Sequence, residues 1–294
     1  MMMSPAVSKL VSLFSSSEGQ ERVTETNGGS RNGQVVVNAP SLNRGPSGDM
    51  NSANTKGFLP LFISSQVVGL LSIILVVAWT TFYLGGLSWT SPGTRFNWHP
   101  LLMVVGLVYL YGNSMMIYRV LRNEPKPKLK LVHGGINALA FLFAVIALIA
   151  VFSFHNDLNI PNMYSLHSWI GLGTVILFGA QLVGGAATFL YPKTPGHIRA
   201  MVLPLHVYGG SAMFALAVIA CVSGITEKAI FKLTPGGYGK LPGEAYLLNF
   251  VGITIVLFGL LVGYLVTLPD YKRRPLPEEQ QLSMSMSSTR ETIN

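Results

Sequence analysis

Six stretches of this chain, residues 58–84, 99–118, 131–154, 163–190, 203–225 and 246–268, run for 18 or more mostly apolar residues with no Lys, Arg, Asp or Glu inside them. A hydrocarbon layer about 30 Å thick is crossed by about 20 helical residues, so each stretch can span it, and each is far longer than a membrane β-strand. Lipid offers the backbone no hydrogen-bond partners, and a run of this length satisfies its own N–H and C=O groups only as a helix. The expected fold is all-α: a six-helix transmembrane bundle with the lipid bilayer as its solvent. Charge agrees, because charged residues are 11% of the chain where a soluble domain has roughly a quarter, and they crowd into tails and turns.

Residues 1–56 are rich in Ser, Asn and Gly and lack the apolar surface to build a core, so they are expected to form a disordered tail. Their apolar start is short, broken by Ser and Lys, and has no convincing cleavage site, so no signal peptide is expected. Residues 57–270 make the membrane domain, and 271–294, basic at first and then polar, are expected to be a flexible tail. Five basic residues lie between Arg119 and Lys130, Lys193 and Arg199 lie in the 191–201 turn, and Lys272, Arg273 and Arg274 follow the last span. By the count of spans these three places share one side with the N-terminus. Opposite them, the 85–98 turn has only Arg95 and 155–162 has none, although Lys228, Lys232 and Lys240 in the 226–245 turn partly balance the count. The positive-inside rule places both termini in the cytosol.

Four of the six histidines, His99, His133, His167 and His206, recur at intervals of 34, 34 and 39 residues, each near the start of an apolar run. Successive helices run in opposite directions, so His99 and His167 belong near the non-cytosolic face, and His133 and His206 near the cytosolic face. A lone histidine at a membrane-helix end is usually an interfacial or packing residue, but four in register form two pairs, one per leaflet. Imidazole is a common metal ligand, and two imidazoles facing across a four-helix core can clamp one porphyrin. Iron so held has no vacant position, which suits single-electron transfer. One zinc shared by all four is excluded by the thickness of the membrane, and two-histidine zinc sites lack the further ligands zinc takes. The lone Cys221 excludes an internal disulfide and C-x-x-C-H haem attachment. Gly134, Gly135, Gly171, Gly209 and Gly210 lie beside the histidines, where a flat macrocycle needs room, whereas Gly184 and Gly185 read as helix-packing residues. Trp79, Trp89, Trp98 and Trp169 read as an interfacial belt, with Trp169 also a neighbour for a haem edge. Tyr109 and Tyr111 read as packing residues whose hydroxyls bond a neighbouring helix.

The runs FNWHP (96–100), MIYRVLR (116–122), SLHSWIGL (165–172) and LPLHVYGG (203–210) resemble the cytochrome b561 family of ascorbate-dependent transmembrane electron carriers, over about residues 58–275. The resemblance implies two non-covalent haems b in helices two to five, one ligated by His99 and His167 and the other, on the cytosolic side, by His133 and His206. It implies that cytosolic ascorbate supplies the electron, with Arg119, Lys130 and Arg199 its contacts within a basic mouth that also holds Arg122, Lys126, Lys128 and Lys193. On the far side, His155 and Asn156 are candidates for holding the acceptor. NIPNMYSLHSW resembles the duodenal cytochrome b branch, which reduces Fe(III), while YRVLRNE resembles the branch that regenerates ascorbate from monodehydroascorbate. Fe(III) is the preferred acceptor and monodehydroascorbate the alternative. The family resemblance also implies a homodimer, and residence in the plasma membrane or an endolysosomal or secretory-vesicle membrane; no nucleic-acid partner is expected. A membrane transporter is the competing class, but it calls for a carboxylate or broken helix at mid-membrane, and none is visible. A retinal protein needs a lysine inside a span, and a scaffold leaves the histidine register unexplained.

Overall fold

The computed structural model describes residues 55–191, 194–233 and 237–281. Residues 1–54 of the expected tail 1–56, Lys193, and residues 282–294 of the expected tail 271–294 lie outside them. Six helices carry the apolar runs: α1 (Phe58–Phe82), α2 (Pro92–Val120), α3 (Lys126–Asp157), α4 (Leu166–Phe189), α5 (Gly196–Leu233) and α6 (Gly243–Thr267). Among the described residues there is no strand. Helices α2, α3, α4 and α5 pack in sequence around a common centre, α5 also touches α2, and α1 and α6 pair along the side formed by α2 and α5.

Two helices outrun their apolar stretches. The α3 helix begins about two turns before His133, and α5 begins about three turns before His206 and continues through Glu227, Lys228 and Lys232. These charges find partners within the protein instead of breaking the helix. Lys232 Nζ lies 2.7 Å from Glu244 Oε1, which also accepts the indole N–H of Trp79 at 2.8 Å. Trp79 is therefore a core residue, 1% exposed, and not part of an interfacial belt. An indole that reaches a buried carboxylate is better placed there than at the lipid surface. Trp169, by contrast, is 67% exposed and donates to the Met163 carbonyl at 2.9 Å.

The α2 helix is not uniform. Val104–Leu110 forms a π-helical segment between two α-helical parts. It abuts α3 where Gly106, with no side chain, meets the Ala140 carbonyl, and the Ala140, Ala144, Ala147 and Ala150 stripe is fully buried. Such small residues let two backbones approach closely. At mid-bundle the Tyr111 ring meets Phe178 and Phe214 edge-on, and its hydroxyl donates to the Gly210 carbonyl at 2.7 Å; Tyr109 donates to Gln66 Oε1 at 2.9 Å. Both tyrosines are packing residues with hydroxyls bonded to another helix, as expected.

Candidate functional site

The four histidines meet in two pairs. The ring centroids of His99 and His167 are 6.1 Å apart, and those of His133 and His206 are 6.2 Å apart. A metal–imidazole bond is about 2 Å and a ring nitrogen lies roughly 1 Å from its ring centre, so two imidazoles sharing one metal in line hold their centroids about 6 Å apart. Both pairs have that spacing. Among the described residues no cluster of three His, Cys, Asp or Glu side chains is placed to hold a metal ion, so these sites offer two ligands and no more. Porphyrin-bound iron needs two protein ligands from the axial directions, and the donor set fits it.

Three of the four histidines lean on the helix that precedes or follows their own. His99 Nδ1 lies 3.2 Å from the Ala147 carbonyl on α3, and His133 Nδ1 lies 3.0 Å from the Ser114 carbonyl on α2. His167 Nδ1 lies 2.8 Å from the Ala220 carbonyl on α5. A carbonyl only accepts, so each Nδ1 carries the proton and leaves Nε2 free for a metal. The α4–α5 pair adds reciprocal steric fit. A Cβ on Gly224 of α5 would lie 2.5 Å from His167 Cε1, and one on Gly185 of α4 would lie 3.1 Å from His206 Cε1. Gly185 thus belongs to a histidine site, contrary to its reading as remote packing.

Room for a flat group is present at Gly134 and Gly171, where an added Cβ meets nothing within 4 Å. Gly209 and Gly210 differ from expectation. An added Cβ at either would meet the Gln181 amide at 2.8–2.9 Å, so they make space for that side chain of α4. One helical turn beyond His206, the same face has already moved past the histidine pair toward mid-membrane.

A cavity of about 400 Å³ opens at the His99–His167 end. His155 lines it, together with Asn162, Tyr164, Glu227 and Lys228. His155 sits in the last turn of α3, its ring 6.2 Å from that of Tyr164. Asn156 is exposed and stands behind the wall, accepting a 2.9 Å hydrogen bond from Asn162 Nδ2. Of the two expected acceptor residues His155 lines the cavity and Asn156 does not; Asn162, six residues on, lines it and is held by Asn156. Burial, with the Glu227 carboxylate beside it, pushes the Tyr164 phenol up from its ordinary pKa. Lys228 Nζ lies over the Phe96 ring, 4.2 Å from its centroid, a cation–π contact that holds the ammonium at the cavity edge. Glu227, Lys228, Tyr164 and Asn162 went unread in the sequence because the first two looked like turn charges and the others like loop residues.

At the opposite end the three proposed donor contacts are not gathered at one point. Lys130 Nζ donates to the Phe189 carbonyl at 3.1 Å, and the Phe189 ring meets His206 at 5.2 Å, so this ammonium lies close to the His133–His206 pair. Arg199 sits in the first turn of α5, over Gly196. Arg119 turns to the other side of the bundle and donates to the Val266 carbonyl near the end of α6.

Comparison with known proteins bears on this geometry. A family model described as eukaryotic cytochrome b561 matches residues 98–232. The chain is 43% identical over 242 residues to the plasma membrane ascorbate-dependent reductase CYBRD1 of Xenopus laevis, covering 81% of this chain and 84% of that protein. It is 44% identical over 213 residues to the lysosomal membrane ascorbate-dependent ferrireductase CYB561A3 of Danio rerio, covering 70% and 86%. It is 40% identical over 236 residues to the transmembrane ascorbate-dependent reductase CYB561 of Sus scrofa, covering 80% and 93%.

Proposed function

The chain belongs to the eukaryotic cytochrome b561 family, and on that premise we propose that it moves single electrons from cytosolic ascorbate to Fe(III) on the other side of the membrane. Its two haems b are held by His133 with His206 on the cytosolic side and by His99 with His167 on the far side. The observation that carries this reading is the pair of neighbouring imidazoles at each end, their ring centroids 6.1 and 6.2 Å apart. A haem held there would supply a reversible one-electron iron couple.

The residues divide the work by end. Lys130 and Arg199 attract the ascorbate monoanion to the cytosolic mouth, while Arg119 supports that end by tying α2 to α6. Each turnover oxidises one ascorbate to monodehydroascorbate with loss of one proton, and reduces one Fe(III) to Fe(II). At the far end, His155, Asn162 and Glu227 offer nitrogen and oxygen donor atoms to an iron chelate. The orientation is supported by the location of Lys228 and Lys232. Both of these far-side lysines are engaged by protein groups, which lessens the balance they gave against the cytosolic charge count. Relatives named as plasma-membrane and as lysosomal reductases support the plasma membrane and an endolysosomal membrane as places of residence beside a secretory-vesicle membrane.

The test uses vesicles containing the purified full chain, loaded with ascorbate and offered a Fe(III) chelate outside. Purified protein should show a bis-histidine haem spectrum, and external Fe(II) should appear in step with reoxidation of the haems. A colourless, well-folded preparation would sink the reading. Faster reoxidation by monodehydroascorbate than by Fe(III) would replace the acceptor and keep the path, which is the second reading.

A further inference from the structure

His133 is surrounded by side chains in a way His99 and His167 are not. Its Nδ1 lies 2.9 Å from Ser114 Oγ as well as 3.0 Å from the Ser114 carbonyl. Asn137, one turn along α3, places Nδ2 2.6 Å from that same Oγ, 2.9 Å from the His133 carbonyl and 3.2 Å from His133 Nε2. An amide nitrogen has two protons to give, and three acceptors surround this one. The two nearest take them, and Nε2 keeps its lone pair.

Ser114 is fully buried and Asn137 is 6% exposed, so water does not compete for these bonds. Asn137 Oδ1 has no hydrogen-bond partner among the described residues. A buried amide half satisfied is costly, and its retention beside an iron-ligand candidate needs a reason. At the other end, among the described residues, the ring nitrogens of His99 and His167 make hydrogen bonds only to the backbone carbonyls of Ala147 and Ala220.

We infer that Ser114 and Asn137 are positioning residues for His133 that set the reduction potential of the cytosolic haem and leave the other haem untouched. This rests on the two-haem reading above. An acceptor on Nδ1–H makes Nε2 a stronger donor to the metal, which favours Fe(III) and lowers the potential. Ser114 Oγ is such an acceptor. Asn137 donates into that oxygen, draws its electron density away and moderates the effect.

The two residues therefore act in opposite senses. Ser114→Ala raises the potential of one haem, and Asn137→Ala, which leaves Oγ a better acceptor, lowers that of the same haem. The shift for Ser114→Ala is about tenfold in the Fe(III)/Fe(II) ratio, equivalent to about 59 mV for one electron.

The experiment is a spectroelectrochemical titration of the full-length, haem-loaded protein and both variants, with haem per chain measured on each sample. Opposed displacements of one wave, with the second wave fixed, support the inference. Movement of both waves together, or no movement in either variant, overturns it. Fewer than two haems in the unmodified protein would instead overturn the reading on which the inference rests.

Discussion

The two ends of the bundle repeat one ligand arrangement and differ in almost everything around it. At both ends an imidazole from the α2–α3 hairpin faces one from the α4–α5 hairpin at nearly the same distance. At the His99–His167 end, backbone carbonyls hold the ligands and a cavity of about 400 Å³ with His155, Glu227 and Lys228 in its wall opens beside them. At the His133–His206 end, Ser114 and Asn137 hold a ligand through side chains, and the Lys130 ammonium reaches the helix end that abuts His206. The imidazole spacing at both ends is that of two rings sharing one metal in line. On the proposed reading the surroundings diverge because the two ends handle different molecules.

Removing ligands would break the comparison most severely. His167→Ala should leave one haem per chain, still reduced by ascorbate, with electron delivery to the far side stopped. His206→Ala should also leave one haem, but one that ascorbate added on the cytosolic side no longer reduces. Haem content and stopped-flow absorbance on vesicle-reconstituted protein distinguish the two outcomes. Identical behaviour of the two variants would show that the ends are not arranged in series.

The glycines sharpen the same contrast. Gly→Ala in a helix interior ordinarily stabilises by about 1 kcal/mol, so any loss must come from the clash. At Gly224 the new Cβ would sit 2.5 Å from the His167 ring, whereas at Gly185 it would sit 3.1 Å from the His206 ring. The first contact forces the imidazole out of line, and Gly224→Ala should retain one haem per chain. The second is relieved by a movement of a few tenths of an ångström, and Gly185→Ala should retain both. Equal retention in the two variants would mean that backbone movement absorbs either clash.

The histidine pairing was legible before any coordinates because the length of a span plus a short turn determines which end of the membrane each helix start occupies. Helix ends were less legible. Hydropathy locates the lipid-facing part of a helix, but α3 and α5 continue into water, and nothing local says that Lys232 meets Glu244 on another helix. Trp79 was misread for the same reason, since its partner lies 165 residues away. Gly185 could be linked to His206 only once α4 and α5 were seen to pack as a hairpin. The π-helical segment of α2 left no sequence mark, because Val104–Leu110 is as apolar as the turns around it.

Charge substitutions should produce smaller effects, split by end. Lys130→Gln should raise the ascorbate concentration for half-maximal reduction by roughly tenfold, the scale on which local charge concentrates a small anion, without changing acceptor use. Lys228→Gln should leave the ascorbate requirement unchanged and alter only the dependence on the external chelate. Separate titrations of donor and acceptor test this, and a change in donor requirement in Lys228→Gln would contradict the assignment of ends.

The smallest effect concerns the first part of the C-terminal segment, which makes hydrogen bonds to the start of α3. Glu279 accepts two hydrogen bonds from Arg273 at 2.9 Å each, one from the Leu276 N–H at 3.1 Å and one from the Lys126 N–H at 3.0 Å, at the start of α3. The Arg273 hydrogen bonds, more than the backbone N–H groups, hold the Glu279 carboxyl well below the usual range, at about 2. A carboxylate whose pKa is lower folded than unfolded stabilises above its unfolded pKa and loses that stabilisation as pH falls toward its folded pKa. Docking should therefore be constant from neutral pH down to about pH 5 and weaken between there and about pH 2. The pair is partly open to solvent, so Glu279→Gln should cost about 1 kcal/mol. Amide exchange at Lys126 should then rise about fivefold at neutral pH, with haem content and both potentials unchanged. If exchange at Lys126 were the same in the variant, the helix start would be protected by its own turn and the segment would only rest against it.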